Sequence, residues 1–382
     1  MAFDRALVNF FYAHPVGHAV EALHYCLGHH AAAPEREVAV VLNAATAVEL
    51  ASFCPFVTAA YSFDHPFVES CTDSAARLAH LPREWDWVLD DFRRYQDIQL
   101  SLFPGLRDYY EATDRHLNAR QGRTVVGAQV AGYLPHQQLR FALPEPIRAA
   151  ARHRLGGDGV DHPRRIAVMP AGSSDASLYP SPSSWCLILD ALTDAFPGAQ
   201  IVLVGKLTQD GRTATSLGSN ELTDLLAHRS HPVNCFDIVL AEQLAVVEAC
   251  DLFLAPHTGF GLAALAVDTP WLALSGGRWF EYFFNQVPFR SILPDTERYP
   301  SFSQFDPVTT VIDGDEGPRI PSMSRARIQH DLERIVVAAG ELISGSLSYE
   351  QALQDYFPAL LAAHHGDSSA IWSIDGVHLP YL

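Results

Sequence analysis

A six-residue turn, Pro256-His257-Thr258-Gly259-Phe260-Gly261, has the composition of an anion-binding loop. It lies between an apolar strand-like run and a helix-like run of small residues. Small residues let the backbone come close to a ligand, and the N–H groups and dipole of a helix start favour negative charge. The side chains of His257 and Thr258 can add donors to a phosphate or ribose oxygen. We therefore predict that this turn binds a diphosphate. A plain strand-turn-helix connection capped by Thr258 is the structural alternative.

Polar residues that follow other strand-like runs are predicted to lie beside that turn. Ser173 and Ser174 offer hydroxyl donors, although an ordinary N-cap loop explains them at least as well. Gly205 and Lys206 follow the next run, and Lys206 is the only lysine among the 26 basic residues. A compact ammonium there suits a diphosphate, while chance survival and an exposed surface lysine are the alternatives. It is not a P-loop lysine, because that motif needs a glycine where residue 200 is Gln. We expect the nucleoside to lie near Asp237.

A histidine, His18, opens a helix-like stretch immediately after the first strand-like run. Taking a proton from a hydroxyl near neutral pH suits an imidazole, whose ordinary pKa is ~6.5. His18 is therefore the predicted general base, and His14, four residues earlier, is the rival. A purely structural histidine is the alternative to both. A metal site formed by His14, His18 and His24 is disfavoured, because neither HExxH spacing nor a carboxylate accompanies them. We expect no metal and no cofactor.

Charge and composition exclude several classes of partner. The formal net charge of −18 makes nucleic acid a poor partner, because binding its phosphates needs clustered Lys and Arg. No apolar run approaches the ~20 residues needed to span a bilayer, and the first residues do not resemble a signal peptide. The six cysteines are scattered through apolar segments without CxxC spacing, which predicts reduced, buried thiols in a cytoplasmic protein.

The first half of the chain alternates strand-like and helix-like segments. Strands are predicted at residues 6–12, 37–43, 57–63, 85–90 and 124–130, and helices at 18–28 and 44–53. This alternation favours a parallel sheet flanked by helices. An Arg-rich helix and a glycine-rich stretch then occupy residues 148–162, which we interpret as an interdomain linker.

The second half repeats the alternation. Strands are predicted at residues 165–169, 200–204, 251–255 and 270–274, and a short strand or loop at 234–237. Helices are predicted at residues 182–195, 220–227, 242–249, 261–266, 323–342 and 349–363. The predicted fold is α/β, with two Rossmann-like doubly wound domains at residues 1–155 and 163–320. C-terminal helices and an irregular tail follow at 321–382. Ligands of such sheets bind at the carboxyl ends of the strands, where the polar loops named above lie.

Residues 165–275, about a third of the chain, resemble the GT-B class of glycosyltransferases and most of all the ADP-heptose:lipopolysaccharide heptosyltransferase family. The likeness is carried by Pro170-Ala171-Gly172-Ser173, Trp185, Val204-Gly205, Ala249-Cys250-Asp251, the run from His257 to Ala264, and Thr269-Pro270. The family places a Gly-Asp pair at the start of its first helix, with that Asp as its base. Here Gly17-His18 occupies the position, and residues 174–181 lack the family's basic residues.

The resemblance implies an inverting glycosyltransferase of GT-B fold, which moves a hexose or heptose from a nucleotide-diphosphate sugar to an acceptor without a metal. The second half would bind the donor, the first half the acceptor, and His18 would take the acceptor's proton. The nucleotide, the sugar and the acceptor, whether small molecule, glycan or protein, stay open because one fold serves many chemistries. An epimerase or hydrolase acting on nucleotide sugars is one alternative. A binding partner that kept the fold without the chemistry is the other.

Overall fold

The computed structural model describes two compact units. The described residues are 4–11, 14–64, 78–90, 132–157, 164–276, 284–301, 308–314 and 317–382, together with Ala76, Arg107 and Glu111. The first unit comprises Met1–Ala142, Gly211–Thr213 and Ser368–Pro380. The second comprises Leu143–Asp210, Ala214–Asp367 and Tyr381–Leu382. The sheets of both units are parallel, which confirms the predicted α/β class.

In the first unit, four parallel strands form the described sheet. They are β1 (Arg5–Phe10), β2 (Glu37–Asn43), β3 (Ala59–Phe63) and β4 (Trp87–Asp90), in the order β3-β2-β1-β4. Helix α1 (Val16–Ala32) connects β1 to β2. The continuous apolar runs of β1 and β2 are buried, as expected for strands covered on both faces.

Of the elements predicted for this unit, one helix does not form and one strand is not covered by the described residues. The helix predicted at residues 44–53 is wrong, because only a 3₁₀ helix forms there, at Val48–Phe53. The Asn43 side chain accepts a hydrogen bond from the Ala45 N–H at 2.8 Å, and such a local turn competes with helix formation. The strand predicted at residues 124–130 lies outside the described residues.

In the described part of the second unit, six parallel strands form a sheet. They are β5 (Arg165–Val168), β6 (Gln200–Gly205), β7 (Val233–Phe236), β8 (Leu252–Pro256), β9 (Trp271–Leu274) and β10 (Phe289–Ile292). Their order is β10-β9-β8-β5-β6-β7. In order of appearance this is 6-5-4-1-2-3, the strand order of the doubly wound dinucleotide-binding fold. A short antiparallel pair, β11 (Val311–Ile312) and β12 (Pro318–Arg319), stands apart from the sheet.

Among the described residues of the second unit, seven α-helices form. They are α2 (Glu145–Arg154), α3 (Pro182–Ala195), α4 (Ser219–Leu226), α5 (Leu240–Glu248), α6 (Gly259–Leu265), α7 (Arg325–Ser344) and α8 (Tyr349–Ala363). The elements predicted from residue 165 onward all form, with bounds moved by at most two residues; β10, β11 and β12 were not predicted. The Arg-rich helix α2 packs on α5, where Arg148 contacts Glu248 at 2.7 Å and Arg154 contacts Glu242 at 2.8 Å.

Helix α7 carries a fully buried ion pair. Arg327 and Asp331 have no exposed side-chain surface, and Nε of Arg327 lies 2.8 Å from Oδ2 of Asp331. The other Asp331 oxygen lies 2.8 Å from Nη1 of the half-exposed Arg334. Arg327 also donates from Nη2 to the carbonyl of Ile292, at the end of β10, at 2.5 Å. Burial lowers the pKa of Arg327 to about 10, and the Asp331 carboxylate opposes that shift.

Two predictions about composition can be compared with the described residues. Cys26, Cys54, Cys235 and Cys250 are buried thiols, whereas Cys186 is only half-buried. Burial raises the pKa of Cys54 to about 12 and that of Cys235 to about 11. These four thiols agree with the prediction of reduced, buried cysteines. In the described part of the chain, no helix combines the length and the apolar character needed to cross a membrane.

Candidate functional site

The strand order of the second unit reverses between two central strands, β5 and β8. From β5 the chain winds through β6 to β7 on one side, and from β8 it winds through β9 to β10 on the other. The loops that leave the carboxyl ends of β5 and β8 therefore lie at the point of the sheet edge where ligands of such sheets bind. The predicted residues Ser173 and Ser174 follow β5, and the turn 257–261 follows β8.

The two loops touch through Gly172. A Cβ atom there would lie 2.5 Å from the Tyr179 hydroxyl and 3.1 Å from the Thr258 methyl group, so any other residue would displace Tyr179. The Tyr179 hydroxyl accepts a hydrogen bond from the Ser174 N–H at 3.2 Å, and Trp185 Nε1 donates to the Pro170 carbonyl at 2.9 Å. Hydrogen bonds from or to two aromatic side chains thus fix the loop after β5, while Ser173 and Ser174 are exposed.

Thr258 is the N-cap of helix α6. Its hydroxyl oxygen accepts from the Gly261 N–H at 3.3 Å, and the side chain is almost fully buried. The hydroxyl donates towards the sulfur of Met169 at 3.8 Å. The capping role that the sequence offered as the alternative is therefore present. Half-buried His257 lies beside it, and the N–H groups of Gly259 and Phe260, in the first turn of α6, have no acceptor within the helix.

Gly261 is small for a reason that the sequence did not show. A Cβ atom there would lie 2.3 Å from Cζ2 of Trp271, the buried first residue of β9. The residue therefore serves helix-to-sheet packing beneath the turn. Phe260 is likewise buried and lies against the Phe253 ring, with ring centroids 5.6 Å apart.

Substituting alanine for Gly261 is expected to lower the free energy of unfolding by about 1–3 kcal/mol, the usual range for overpacking a tight core. Urea unfolding followed by circular dichroism measures the change. Gly340→Ala, in helix α7, is the matched control, because its Cβ would meet Phe196 at 3.8 Å, an ordinary contact. That variant is expected to be neutral or stabilising, since alanine favours helix over glycine. Equal effects in both variants would contradict the assigned role of Trp271.

Lys206 leaves the carboxyl end of β6, next to β5. Its Nζ lies 2.6 Å from Oδ2 of Asp210, and its side chain is 26% exposed. The backbone of Gly205 is bonded in both directions to the Gln243 amide, at 3.1 Å each. Thr215 donates to the Lys206 carbonyl from its N–H and its hydroxyl, at 2.7 and 2.9 Å. Lys206 therefore starts from a fixed backbone, and its ammonium is already matched by a carboxylate.

Asp237, after β7, organises the same loop. Its Oδ1 accepts hydrogen bonds from the N–H groups of Leu207 and Thr208, both at 2.9 Å. Partial burial raises the pKa of Asp237, but these N–H groups and the nearby Lys206 together hold it below its ordinary value. Its backbone has a positive φ of 59°, which Asp adopts more readily than most residues. The structure thus gives Asp237 a loop-holding role beside the predicted site.

Ser216 is a residue that sequence reasoning missed. Its N–H donates to the Gly172 carbonyl at 2.7 Å, so the segment that binds Lys206 through Thr215 also binds the loop after β5. The Ser216 hydroxyl is buried and has no hydrogen-bond partner among the described residues. No strand or turn pattern in the sequence marks it.

In the first unit, His18 is the third residue of α1. Its side chain is 30% exposed, and its Nδ1 lies 3.6 Å from Oε2 of Glu21, which is 4% exposed. A carboxylate therefore accompanies His18, contrary to the sequence-based expectation, and the i,i+3 spacing on one helix was the signal that was missed. The rival, His14, precedes the helix and is half-buried.

Three buried polar side chains mark the carboxyl edge of the first sheet. Asn9 in β1 donates to Oδ1 of Asp90 at 3.2 Å, and Asp90 is the last residue of the neighbouring strand β4. Asn43, the last residue of β2, donates to the carbonyl of Phe11 at 2.6 Å. Buried polar side chains therefore lie at the sheet edge next to α1, whereas the rest of the strands is apolar. No group of three or more His, Cys, Asp or Glu able to hold a metal occurs among the described residues.

Comparisons with known proteins identify the fold. No profile of a protein family matches the sequence, and no curated protein matches it. A glycosyl transferase family 9 protein from Veillonella parvula superposes with a TM-score of 0.56 at 15% identity, covering 87% of this chain and 97% of that one. E. coli ADP-heptose LPS heptosyltransferase II gives 0.56 at 16% identity, covering 87% and 98%. E. coli heptosyltransferase WaaC with ADP gives 0.53 at 12%, covering 88% and 99%.

These similarities extend over nearly the whole length of the known structures. At this level of identity they establish the fold. The chain has the two-unit Rossmann-like fold of the GT-B glycosyltransferases, as the resemblance in residues 165–275 predicted, and the heptosyltransferases are among the proteins that share it.

Proposed function

We propose that this protein is an inverting, metal-independent glycosyltransferase that moves a hexose or heptose from a nucleotide-diphosphate sugar to an acceptor. One observation carries the proposal: the loops bearing Ser174 and His257 meet through Gly172 where the strand order of the second unit reverses. Doubly wound sheets bind their ligands at that point. WaaC has a similar fold and was solved with ADP, which makes a nucleoside diphosphate the first ligand to test.

We infer that the second unit binds the donor. The exposed hydroxyls of Ser173 and Ser174 and the first N–H groups of α6 donate to the diphosphate oxygens. The Lys206 ammonium, once drawn from Asp210, neutralises charge on the same group. Asp237, with one oxygen occupied by the loop, accepts from a ribose hydroxyl through the other. His257 completes the set.

We infer that the first unit binds the acceptor and supplies the base. The acceptor oxygen attacks the anomeric carbon, and the bond to the diphosphate breaks with its electron pair going to the leaving group. The acceptor's proton goes to Nε2 of His18, because Nδ1 is the nitrogen nearest to Glu21. The carboxylate then stabilises the imidazolium that forms. Attack from the face opposite the leaving group inverts the anomeric configuration.

A titration with nucleoside diphosphates tests the donor site. Addition of UDP, GDP, ADP, dTDP and CDP is expected to raise the unfolding temperature with one of them, because a ligand at 100 times its Kd stabilises by about 2.7 kcal/mol. Lys206→Gln is expected to raise the Kd of that ligand about tenfold, a loss of about 1.4 kcal/mol of binding free energy. Isothermal titration calorimetry measures the Kd. Asp210→Asn removes the carboxylate that competes for the Lys206 ammonium, so this variant is expected to lower the Kd of the same ligand.

The matched controls separate charge from geometry. Lys206→Arg keeps the charge, and normal binding by that variant would show that the ammonium is not specifically required. The corresponding nucleoside without phosphates should bind wild-type protein and Lys206→Gln equally. If none of the five diphosphates shifts the unfolding temperature, the nucleotide-sugar donor is ruled out.

A further inference from the structure

A single carboxylate, that of Asp375, joins three distant segments of the first unit. Its Oδ2 lies 2.9 Å from Nε2 of His24 in α1. Its Oδ1 accepts from the Tyr133 hydroxyl at 2.9 Å, and Oδ2 also accepts from the His136 N–H at 2.8 Å. Asp375 belongs to residues 368–380, which reach this unit from the far end of the sequence. We call this arrangement the Asp375 junction: Asp375, His24, Tyr133 and His136.

The Asp375 junction is a costly arrangement held by specific contacts. The Asp375 side chain is 1% exposed, and an isolated carboxylate in such surroundings is strongly disfavoured. Burial raises its pKa, but the His24 ring and the donors from His136 and Tyr133 outweigh that effect and hold the pKa below its ordinary value. Asp375 and His136 both have positive φ, 60° and 59°, a backbone state that persists when the surroundings fix it.

The segment containing Tyr133 is itself fixed to α1. A Cβ on Gly28 would lie 2.2 Å from the Tyr133 ring, so helix and ring are in direct contact, and the Leu134 N–H donates to the Gly28 carbonyl at 2.9 Å. Arg36 donates from Nη1 to the carbonyls of His29 and Gly132, at 2.7 and 2.5 Å. The Asp375 junction therefore closes a packed assembly around the second half of α1.

We propose that Asp375 is a positioning residue that holds α1, and with it His18, in the place required for proton transfer. This inference rests on the proposed function, because it takes His18 as the base. His18 and His24 lie on one uninterrupted helix, six residues apart, a rise of about 9 Å. A helix transmits displacement along its axis, so loosening its anchored half moves the half that carries His18. The neighbouring tail residues are buried as well and hold the segment that carries the Asp375 carboxylate in the first unit: Ile371, Trp372 and Ile374.

The test is Asp375→Asn in the full-length protein, read by peptide-resolved hydrogen exchange and by steady-state kinetics. The amide NH₂ puts donors where the junction needs an acceptor, so exchange over α1 and residues 132–136 is expected to rise about tenfold or more. With the best nucleotide sugar, kcat is expected to fall about tenfold while KM for the donor stays unchanged, because the donor is assigned to the second unit.

Two further variants keep the test decisive. Tyr133→Phe removes one hydroxyl donor and leaves the His24 contact, so it should show the same pattern at smaller size even if Asp375→Asn does not fold. Asp295→Asn is the matched control, since this exposed carboxylate of the second unit accepts N–H groups of Glu297 and Arg298 at 3.1 and 3.3 Å. It should change neither the exchange of α1 nor kcat.

The outcomes separate this inference from the proposed function. Unchanged exchange in α1 overturns the anchoring role of Asp375. Faster exchange with unchanged kcat overturns its link to His18 and leaves a purely structural residue. Wild-type protein without transfer from any nucleotide sugar defeats the proposed function together with that link, while the exchange measurement still decides the anchoring.

Discussion

Replacing His18 with glutamine is expected to lower kcat for sugar transfer by about 10²–10⁴-fold, the usual contribution of a general base. Glutamine keeps the approximate size and polarity of the side chain but cannot take up a proton. The Kd of the nucleoside diphosphate should not change, because its proposed ligands all belong to the second unit. Initial rates at saturating donor and acceptor, together with calorimetric titration of the diphosphate, measure the two quantities.

Matched variants identify which group acts. His14→Gln should leave kcat within a few-fold of wild type, and the opposite ranking of the two variants would move the role of base to His14. Glu21→Gln keeps the shape beside His18 but removes the charge 3.6 Å from Nδ1, so a loss of about tenfold is expected. Full activity in His18→Gln would contradict the proposed mechanism. The anomeric configuration of the product, read by NMR, independently tests inversion.

Replacing Asp331 with alanine is expected to lower the free energy of unfolding by about 3–5 kcal/mol. The substitution leaves the Arg327 guanidinium buried without its counter-charge, and Arg327 cannot leave because it also holds the end of β10 through the Ile292 carbonyl. Such a loss is a large part of the stability of a typical domain. Urea unfolding of the variant, monitored by tryptophan fluorescence, gives the value.

Two controls distinguish a buried charge from an ordinary lost contact. Arg334→Gln removes the half-exposed partner of the same carboxylate, and a change below about 1 kcal/mol is expected. The double variant Arg327→Met with Asp331→Leu removes both buried charges, and it should recover much of the stability lost by Asp331→Ala. A double variant as unstable as Asp331→Ala would show that specific hydrogen bonds, rather than charge burial, dominate.

Most of the second unit could be predicted from the sequence because its local signals agree with one another. Short apolar runs, Ser181 as N-cap before Pro182, and the Thr258 cap of α6 each define an element boundary within a few residues. Parallel strands then place their following loops at one edge, so Ser173, Lys206 and His257 could be grouped without coordinates.

In the first unit, local sequence patterns gave a wrong prediction at residues 44–53 and did not identify the partner of His18. The apolar, alanine-rich run after β2 has the composition of a helix, yet the Asn43 side chain closes a turn and only a 3₁₀ helix follows. Glu21 lies one helical turn from His18, a neighbour relation that metal-ligand spacing does not reveal.

Other features depend on pairings that no local pattern encodes. Gly261 meets Trp271, ten residues away on the next strand, and the small residue alone suggested ligand approach. His24 contacts Asp375, which is 351 positions away in the sequence, and the residues around either one do not indicate this pairing. The pattern of α7 suggested a helix but not that Arg327 and Asp331 would both be fully buried.

The Asp375 junction also constrains how the protein is made. Tyr133 and His136 leave the ribosome about 240 residues before Asp375, and at ~5–20 residues/s this delay is roughly 10–50 s. During that time the first unit lacks Ile371, Trp372 and Ile374 as well as the carboxylate, so its nascent core stays incomplete. An N-terminal unit usually folds first during synthesis. Here its final folding step waits for residues that are translated after nearly all of the second unit, so the two units are expected to mature in the reverse of their order in the chain.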